Sequence, residues 1–296
     1  MDQQAKLRTI GSARPAMQLH TLRDIEEPLP EIIRRVARAG YEGVEFAGRF
    51  LEADPHAVRE ALTETATTPV AAHVELPTLE RNPEAIVDRC RVAGCTRAVI
   101  PHIGENHFRT EGRVEALAWR LDALADRLAD DGMELSYHNT REPFLPTFDQ
   151  FGLGTLATVP VPGVWGWIAD AVGRTFDETD IAERTGFGAL LERTTDRVTF
   201  EVDVGWVAAG GYDPVAVFDL LGDRLALVHI ADVAVTRRFP PRFRSVPPGE
   251  GIIDLDRVVA AARETDVEWL VFEDDHPADP LGAIDTGIDA LVPPEP

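Results

Sequence analysis

Lysine is almost absent from this chain. Lys6 is the only lysine among 296 residues, and all other basic residues are arginines. It lies in a polar leader ahead of the first apolar run. Schiff-base catalysis and phosphate-binding loops both depend on a lysine at a defined position. The sequence therefore argues against both kinds of chemistry.

Cysteine is scarce as well, and long apolar runs are missing. Cys90 and Cys95 are too few and too close in sequence for a disulfide framework, so we interpret them as small apolar residues of a reducing compartment. The first residues, MDQQAKLRTIGSARPA, lack the apolar centre of a signal peptide, and no run approaches the length of a membrane span. We expect a cytoplasmic protein without a membrane partner.

Positive charge is also in short supply. The chain has 29 Lys and Arg against 51 Asp and Glu, a net charge of −22 at pH 7. A net anion repels nucleic-acid backbones and anionic lipid surfaces, so we expect neither as a partner. An acidic surface with a single lysine suits a cytoplasm of high salt concentration, where counter-ions screen the self-repulsion. Salt adaptation is therefore a hypothesis for this chain.

What the sequence does contain is a regular alternation of strands and helices. Apolar runs rich in Val, Ile, Leu and Phe alternate with segments such as LPEIIRRVARAG, in which apolar residues recur at helical spacing. Continuous apolar strands are typical of sheets that are buried on both faces. The eight strand candidates cover 15–20, 43–48, 70–76, 97–104, 134–140, 198–206, 225–232 and 269–276.

Eight such strands with crossover helices predict a (β/α)8 TIM barrel, an α/β fold that forms a single domain over 1–296. A doubly wound open sheet is the main alternative. The nucleotide-binding version of that sheet needs a glycine-rich turn after the first strand. This chain has HTLRDIEEP there, so the barrel is favoured.

The spacing of the strand candidates breaks once, between the fifth and the sixth. We interpret the extra residues at about 141–180 as a loop insertion that forms a lid over the C-terminal face, with Trp165 and Trp167 facing a pocket. A plain loop followed by one barrel helix is the alternative. A second long loop, 236–251, follows the seventh strand, and its arginines could hold an anionic group of a substrate.

Ionisable side chains recur at the ends of the predicted strands. In a parallel barrel the C-terminal strand ends meet at one mouth. Polar groups buried there must be liganded, hydrogen-bonded or hydrated. The residues at the eight strand ends are His20, Glu45, His73, His102, His138, Asp203, His229 and Glu273.

Four of these residues form a set suited to a metal ion. His138, Asp203, His229 and Glu273 come from strands five to eight and combine imidazole nitrogens with carboxylate oxygens. Such donors suit one divalent ion, Mn²⁺, Zn²⁺, Co²⁺ or Fe²⁺ rather than Ca²⁺, and the first three are preferred here. Hydrogen bonds and ion pairs within the barrel explain each residue singly just as well. The joint arrangement favours the metal.

Seven segments together resemble a known family, the sugar phosphate isomerase/epimerases of the xylose isomerase-like barrels. They are QLHTLRD, GYEGVEFAG, LSYHN, FEVDVGWVAAGGYDP, LALVHIAD, GEGIIDLDRVVAAA and VFEDDHPADP. The resemblance implies a barrel with one divalent metal at its mouth. It places Asp203, His229 and Glu273 at ligand positions of the family.

The chain departs from the family at two positions. Many members carry a glutamate on strand five where this chain has His138, and Glu142, four residues on, is an alternative ligand. The family often has a lysine in the motif that here reads HIAD, and Ala231 takes its place. Any role of that lysine in balancing substrate charge is therefore absent or belongs to an arginine.

The resemblance implies an isomerase or epimerase of a sugar or sugar derivative. The reaction would begin with removal of a proton next to a carbonyl and pass through an enediolate stabilised by the metal. Glu273 is the leading base, with Glu142 or Glu45 as its partner. The predicted substrate contacts are His20, His73 and His102 for hydroxyls, Trp206 for an apolar wall, and Arg244 for an anionic group.

Simpler explanations exist for three of these residues. Glu45 could form an ion pair with Arg49 or another nearby cation, Trp206 could pack at the barrel rim, and a solvated loop charge is the more ordinary role for Arg244. Two other functions also fit the same residues. One is a metal-dependent dehydratase or lyase of a keto sugar or an inosose-like ring, and the other is a barrel that binds a sugar without catalysis.

Two further expectations concern partners. A DNA-repair endonuclease of the same fold needs several zinc ions and a basic groove, so the net charge argues against it. Barrels of this kind often pair, and a homodimer is compatible with the resemblance.

Overall fold

Eight parallel strands close into a barrel in the computed structural model, which describes residues 13–147, 149, 181–238 and 241–292. The strands follow one another around the barrel in sequence order, and the first pairs with the last. They are β1 (Arg14–Gln18), β2 (Gly43–Phe46), β3 (Thr68–His73), β4 (Arg97–Ile100), β5 (Glu134–His138), β6 (Val198–Asp203), β7 (Leu225–Ile230) and β10 (Trp269–Phe272). The predicted TIM barrel is confirmed, and the open sheet is excluded.

Helices connect the barrel strands, and several begin where the sequence supplies a cap. Asp54 accepts a hydrogen bond from the main-chain N–H of His56 ahead of Pro55, which fixes the start of the second helix. The helices of the described residues are α1 (Leu29–Arg38), α2 (Pro55–Thr65), α3 (Leu76–Arg81), α4 (Pro83–Ala93), α5 (Glu111–Asp130), α6 (Ile181–Arg184), α7 (Gly186–Arg193), α8 (Val204–Ala209), α9 (Pro214–Leu221), α10 (Leu255–Glu264) and α11 (Gly282–Leu291).

Apolar side chains fill two separate regions. The larger region lies between the barrel and its helices, and it includes the free cysteines Cys90 and Cys95, in agreement with their apolar interpretation. The smaller region packs Ala16, Ala71, Val99, Leu227 and Val271 together with two further residues from strand starts, Val70 and Trp269. The polar side chains nearer the C-terminal ends of the same strands therefore lie directly above this apolar layer.

Gly43 is required because its strand, β2, passes very close to side chains of this apolar layer. A Cβ atom at this position would lie 2.6 Å from Val70 Cγ2 and 2.7 Å from a ring carbon of Trp269. Real Cβ atoms do not approach other heavy atoms so closely, so any larger residue would displace the tryptophan. The glycine lets β2 pass beside the indole ring.

The segment after β7 is a hairpin and not the predicted long loop. β8 (Asp232–Arg238) and β9 (Pro241–Val246) pair in antiparallel fashion and stand apart from the barrel sheet. The buried carboxylate of Asp232 holds the base of the hairpin, because it accepts hydrogen bonds from the N–H groups of Gly249 and Gly251 at 3.0 and 2.8 Å. Sequence analysis missed the hairpin because the arginine-rich segment shows little apolar alternation.

The predicted lid at about 141–180 lies mostly outside the described residues, and so do Trp165 and Trp167. Its two ends are visible. A short 3-10 helix, Glu142–Phe144, follows β5, and Pro146 forms an isolated bridge with Thr185. Within the described part of the chain, no helix has the length and apolar character needed to span a membrane.

Candidate functional site

The four predicted metal ligands meet at the C-terminal end of the barrel. Donor atoms of His138, Asp203, His229 and Glu273 all lie within 4.8 Å of one another, and all four residues are buried. His138 Nε2 is 3.7 Å from Asp203 Oδ2 and 3.8 Å from Glu273 Oε2. His229 Nδ1 is 2.9 Å from the same Glu273 oxygen. We call these residues the four-ligand cluster.

Asp203 is aimed by the turn from β6 into α8. Its Oδ1 accepts the N–H of Trp206 at 2.9 Å and caps the helix, which leaves Oδ2 pointing at His138. Asn139 holds the backbone of the same residue from both sides: its Nδ2 donates to the carbonyl of Asp203, and its Oδ1 accepts the N–H of Asp203. The dipeptide His138-Asn139 thus supplies one donor and fixes another.

His138 is held so that one ring nitrogen faces the cluster. Its Nδ1–H donates a hydrogen bond to the carbonyl oxygen of Pro101 at 3.1 Å, which leaves the lone pair of Nε2 to face the cluster. His138 Nε2 and Asp203 Oδ2 are buried, and neither has a hydrogen-bond partner among the described residues. Leaving such groups unsatisfied is costly unless something else binds them.

The separations in the cluster fit a metal ion. Zinc lies about 2.0–2.2 Å from nitrogen and oxygen ligands in a tetrahedron, which puts neighbouring ligand atoms roughly 3.4 Å apart. The distances of 3.7 and 3.8 Å from His138 Nε2 are close to that value. Imidazole and carboxylate donors without a thiolate also suit Mn²⁺ and Co²⁺. The residues present therefore fit a divalent ion.

A second group of ionisable residues lies behind His229, and its members contact one another in pairs. Glu45, His73, Glu201 and His229 have donor atoms within 4.8 Å of one another. Each of the two histidines places Nε2 close to an oxygen of each glutamate, at distances between 2.7 and 3.2 Å. We call this arrangement the histidine–glutamate square. Each histidine hydrogen-bonds to one glutamate in it, His73 to Glu201 and His229 to Glu45, whereas Oε1 of each glutamate makes only the longer ion-pair contact.

Burial and opposite charges move the pKa values in both groups. Burial works against the charged form of His73, but the carboxylates of Glu45 and Glu201 outweigh it and raise its pKa to about 10. Burial likewise opposes ionisation of Glu273, yet His229 and His138 lower its pKa to about 2. The pKa of His229 is raised well above its ordinary value by Glu201, Glu45 and Glu273, against the effect of burial.

A cavity of about 790 Å³ opens above the four-ligand cluster. His138 and Glu273 form part of its wall. Glu142, Trp206, His20 and His102 line it as well, so the structure brings these predicted residues to one cavity. Phe243 and Arg242 of the hairpin add a wall that the sequence analysis did not foresee.

Two predicted site residues lie elsewhere. Glu45 is fully buried in the square, is absent from the cavity wall, and accepts from His229 at 2.7 Å. This placement does not support its predicted role as a proton-transfer partner. The alternative, an ion pair with a nearby cation, agrees with the structure, but the partners are His229 and His73, because the Arg49 guanidinium donates to main-chain carbonyls. Arg244 pairs with Ala234 inside the hairpin and is exposed, so the prediction that it binds substrate is not supported either.

His73 differs from the other histidines that line the cavity. Its ring reaches the wall, but its Nε2 is engaged by Glu201 at 2.8 Å. A substrate hydroxyl would have to compete with a buried carboxylate for that nitrogen. The structure therefore favours a supporting role over the predicted hydroxyl contact.

Glu201 and Asp275 were missed by the sequence analysis. Glu201 stands two residues before Asp203, and the twofold periodicity of a strand puts both side chains on the inner face, a signal that was available. Asp275 follows Glu273 at the same interval and lines the cavity, where burial and the neighbouring Glu273 raise its pKa to about 7. The mouth of the barrel therefore holds more carboxylates than the predicted strand-end residues alone supply.

Comparisons with known proteins agree with this architecture. Residues 184–293 match the family model described as xylose isomerase-like TIM barrel, a range that contains Asp203, His229 and Glu273. The closed barrel of this chain is thus similar to the xylose isomerase-like TIM barrels over that range. His138, the predicted ligand on strand five, lies outside the matched range, and its assignment depends on the geometry given above.

Three proteins illustrate what this chain is similar to. An inosose dehydratase of Geobacillus kaustophilus is 23% identical over 270 residues, which cover 82% of this chain and 79% of that protein. A sugar phosphate isomerase/epimerase from Parabacteroides distasonis superimposes with a TM-score of 0.68 at 15% identity, over 99% of both chains. The IOLI protein, solved with a zinc atom, gives 0.62 at 16% identity, over 94% of this chain and 98% of that one.

Proposed function

We propose that this xylose isomerase-like barrel is a divalent-metal-dependent isomerase or epimerase of a sugar or sugar derivative, which begins its reaction by removing a proton next to a carbonyl. One observation carries the proposal. His138 Nε2 and Asp203 Oδ2 are buried, lie 3.7 Å apart and have no hydrogen-bond partner among the described residues, and His138 also lines a cavity of about 790 Å³. The four-ligand cluster would hold the ion.

The chemistry supplied by a bound ion is that of a Lewis acid, which polarises a carbonyl and stabilises negative charge on its oxygen. The protein must supply the base. With a pKa of about 2, Glu273 is a weak base, and a ligand role suits it better than proton removal. Glu142 lines the cavity on the segment that follows β5, so we assign the proton acceptor to it.

Four other cavity residues bind and orient the substrate. His20 and His102 lie at the ends of β1 and β4 and offer ring nitrogens to hydroxyl groups. Trp206 and Phe243 present ring surfaces that suit the C–H faces of a sugar ring. The polar and the apolar sides of a carbohydrate both find partners in this cavity.

A dehydratase is the second candidate, and the relative that favours it is the inosose dehydratase. Both reactions start with the same proton removal. They differ in the second step, because an isomerase or epimerase returns a proton to carbon, whereas a dehydratase expels a hydroxyl from the neighbouring carbon. The same base and the same cavity serve either outcome.

A proton-exchange screen tests the proposal. The protein is incubated in D₂O with Mn²⁺ or Zn²⁺ and a panel of ketoses, keto-glycosides and inosose-like rings, and NMR and mass spectrometry follow deuterium uptake and loss of water. Uptake at carbon next to a carbonyl supports the isomerase or epimerase, and loss of water supports the dehydratase. Binding of a ring without either change would contradict both and indicate a binding protein.

Matched variants test the base. Glu142→Gln should abolish exchange without weakening ion binding, whereas Glu75→Gln, which neutralises another carboxylate of the same cavity wall, should retain exchange. Undiminished exchange in Glu142→Gln would remove that residue from the mechanism. A loss of exchange in both variants would point to a general effect of cavity charge.

A further inference from the structure

The histidine–glutamate square has no part in the proposed proton transfer, although it lies directly behind a metal ligand. We propose that Glu45, Glu201 and His73 are positioning residues that hold His229 with Nε2 protonated and Nδ1 presented to the ion. This inference rests on the proposed metal site. It assigns to the square the affinity of that site for a divalent ion, not a step of the reaction.

The two nitrogens of His229 face different groups. Nε2 lies 2.7 Å from Glu45 Oε2 and 3.1 Å from Glu201 Oε1. Two carboxylate oxygens on one ring nitrogen are favourable only when that nitrogen carries a proton to donate. Nδ1, on the other edge of the ring, lies beside Glu273 in the four-ligand cluster. With a proton held on Nε2 by Glu45 and Glu201, Nδ1 is the nitrogen that would engage the ion, in place of its contact with Glu273 Oε2 at 2.9 Å.

His73 is the second histidine of the square and contacts the same two glutamates as His229. Its Nε2 contacts the other oxygen of each glutamate, 2.8 Å from Glu201 Oε2 and 3.2 Å from Glu45 Oε1. The ring of His73 is nearly parallel to that of His229, with centroids 5.7 Å apart and planes 13° apart. Each glutamate therefore hydrogen-bonds to one histidine through Oε2 and places Oε1 within ion-pair distance of the other, so neither carboxylate can rotate away from His229 without also losing its contact with His73.

The backbone of the barrel is irregular at both glutamates. Strand register shifts between Val44 and Glu45 where β2 pairs with β3, and between Phe200 and Glu201 where β6 pairs with β7. The other strand pairs of the barrel keep their register over the described residues. Such irregularities re-aim single side chains and are common beside functional sites. Both register shifts in this barrel lie at glutamates that contact His229.

Zinc affinity tests the role of the square. Full-length wild type and variants are titrated with Zn²⁺ against a chromophoric chelator. Partners that hydrogen-bond to a ligating histidine contribute about 10- to 100-fold to metal affinity. Glu45→Gln and Glu201→Gln should each weaken binding by that factor. Glu201→Asp should weaken binding similarly, because it keeps the charge but withdraws the carboxylate by one methylene.

Two controls separate this role from charge and from packing. Glu75→Gln removes a carboxylate from the cavity wall without touching His229. Ser136→Ala removes a buried hydroxyl that bonds to Thr199 Oγ1 at 2.7 Å inside the barrel. Both should bind Zn²⁺ like wild type. Wild-type affinity in Glu45→Gln and Glu201→Gln would overturn the inference, and so would a wild-type value for Glu201→Asp beside a loss in Glu201→Gln.

The wild type itself offers a second test, which stands even where a variant fails to fold. Long-range ¹H–¹⁵N spectra of protein labelled in histidine report which ring nitrogen of His229 carries a proton. We expect Nε2 protonated, and Nδ1 shifted on addition of Zn²⁺. An unprotonated Nε2 overturns the inference. If wild type binds no Zn²⁺, the proposed function fails instead, and the metal-free spectrum still decides the state of Nε2.

Discussion

Single side chains at this barrel mouth perform two tasks with two atoms. Asp203 caps α8 with Oδ1 and offers Oδ2 to the four-ligand cluster. His138 donates from Nδ1 to a main-chain carbonyl and keeps Nε2 for the cluster. In each side chain, a hydrogen bond at one polar atom fixes the direction of the other polar atom, which faces the cluster. The chain preorganises its candidate metal-binding atoms in this way without a rigid loop.

Asp203→Asn should separate these two tasks. Asparagine caps a helix as well as aspartate does, so the fold should persist, but its amide replaces the oxygen that faces His138. We expect Zn²⁺ affinity to fall by at least about 100-fold, more than for loss of an outer partner, as measured by chelator competition. Asp213→Asn is the matched control, since Asp213 caps α9 through Val215 outside the site. Equal affinities in the two variants would contradict the ligand assignment.

His73 should make stability depend on pH. Because its pKa is raised to about 10 in the folded state from 6.5, its contribution is full below about pH 6.5 and is lost as pH rises through 10. In EDTA, the excess unfolding free energy of wild type over His73→Gln should shrink by on the order of 3 kcal/mol between pH 6 and pH 10. Urea denaturation measures it.

A control at an exposed histidine shows whether the effect is specific to the square. His56 lies exposed near the start of α2, and His56→Gln should leave the pH profile of wild type unchanged. A constant difference between wild type and His73→Gln across the range would mean that His73 is not charged when folded.

Sequence reasoning reached the residues at strand ends but not their supports. Asp203, His229 and Glu273 follow buried runs directly, and parallel strand ends must converge, so their meeting could be predicted. Glu201 lies inside its strand, and its role depends on which glutamate and which histidine it faces across the barrel. That pairing is set by register shifts of one residue, which no local pattern encodes.

At the scale of elements, the hairpin of β8 and β9 is a fixed wall of the cavity. Ser245 donates to Asp274 Oδ1 at 2.8 Å, which ties β9 to the segment that follows Glu273. The start of the hairpin is held by Asp232, whose carboxylate binds the N–H groups of Gly249 and Gly251. A wall held at both places presents Phe243 and Arg242 in a constant position above the four-ligand cluster.

Asp232→Ala should loosen this element. The change leaves the N–H groups of Gly249 and Gly251 without their acceptor, since both donate to the Asp232 carboxylate at 3.0 and 2.8 Å in the wild type. Unsatisfied groups of this kind cost about 1–3 kcal/mol each, so we expect stability to fall on the order of 2–3 kcal/mol and these two amides to exchange faster with D₂O. Asp254→Ala, which removes the cap of α10, should not change their exchange. Unaltered protection in Asp232→Ala would refute the anchoring role.

For the whole molecule, the barrel was predictable because its sequence signal repeats eight times. Each apolar run is short and ambiguous alone, but eight of them in register with helices admit few closed arrangements. The hairpin occurs once, and its arginines hide the pairing of Val235 with Phe243. Features that occur once depend on contacts distant in sequence, such as the bond from Gly249 back to Asp232.

The net charge of −22 predicts that salt stabilises the entire fold. Exposed ion pairs such as Arg14–Glu42 lose strength on screening, but each contributes only about 0.2–1 kcal/mol, whereas 51 acidic residues against 29 basic ones leave a general repulsion that screening relieves. Raising KCl from about 0.1 to 1 M shortens the screening length from about 10 to 3 Å.

We therefore expect the melting temperature of the wild type to rise steadily with KCl at pH 7, followed by circular dichroism. Near pH 5 the carboxylates begin to protonate, the excess of negative charge falls, and the same salt series should produce a smaller rise. This comparison separates screening from a general salting-out of apolar surface, which is not removed by lowering the pH. Maximal stability in dilute buffer at pH 7 would contradict salt adaptation, because self-repulsion would then not limit the folded state.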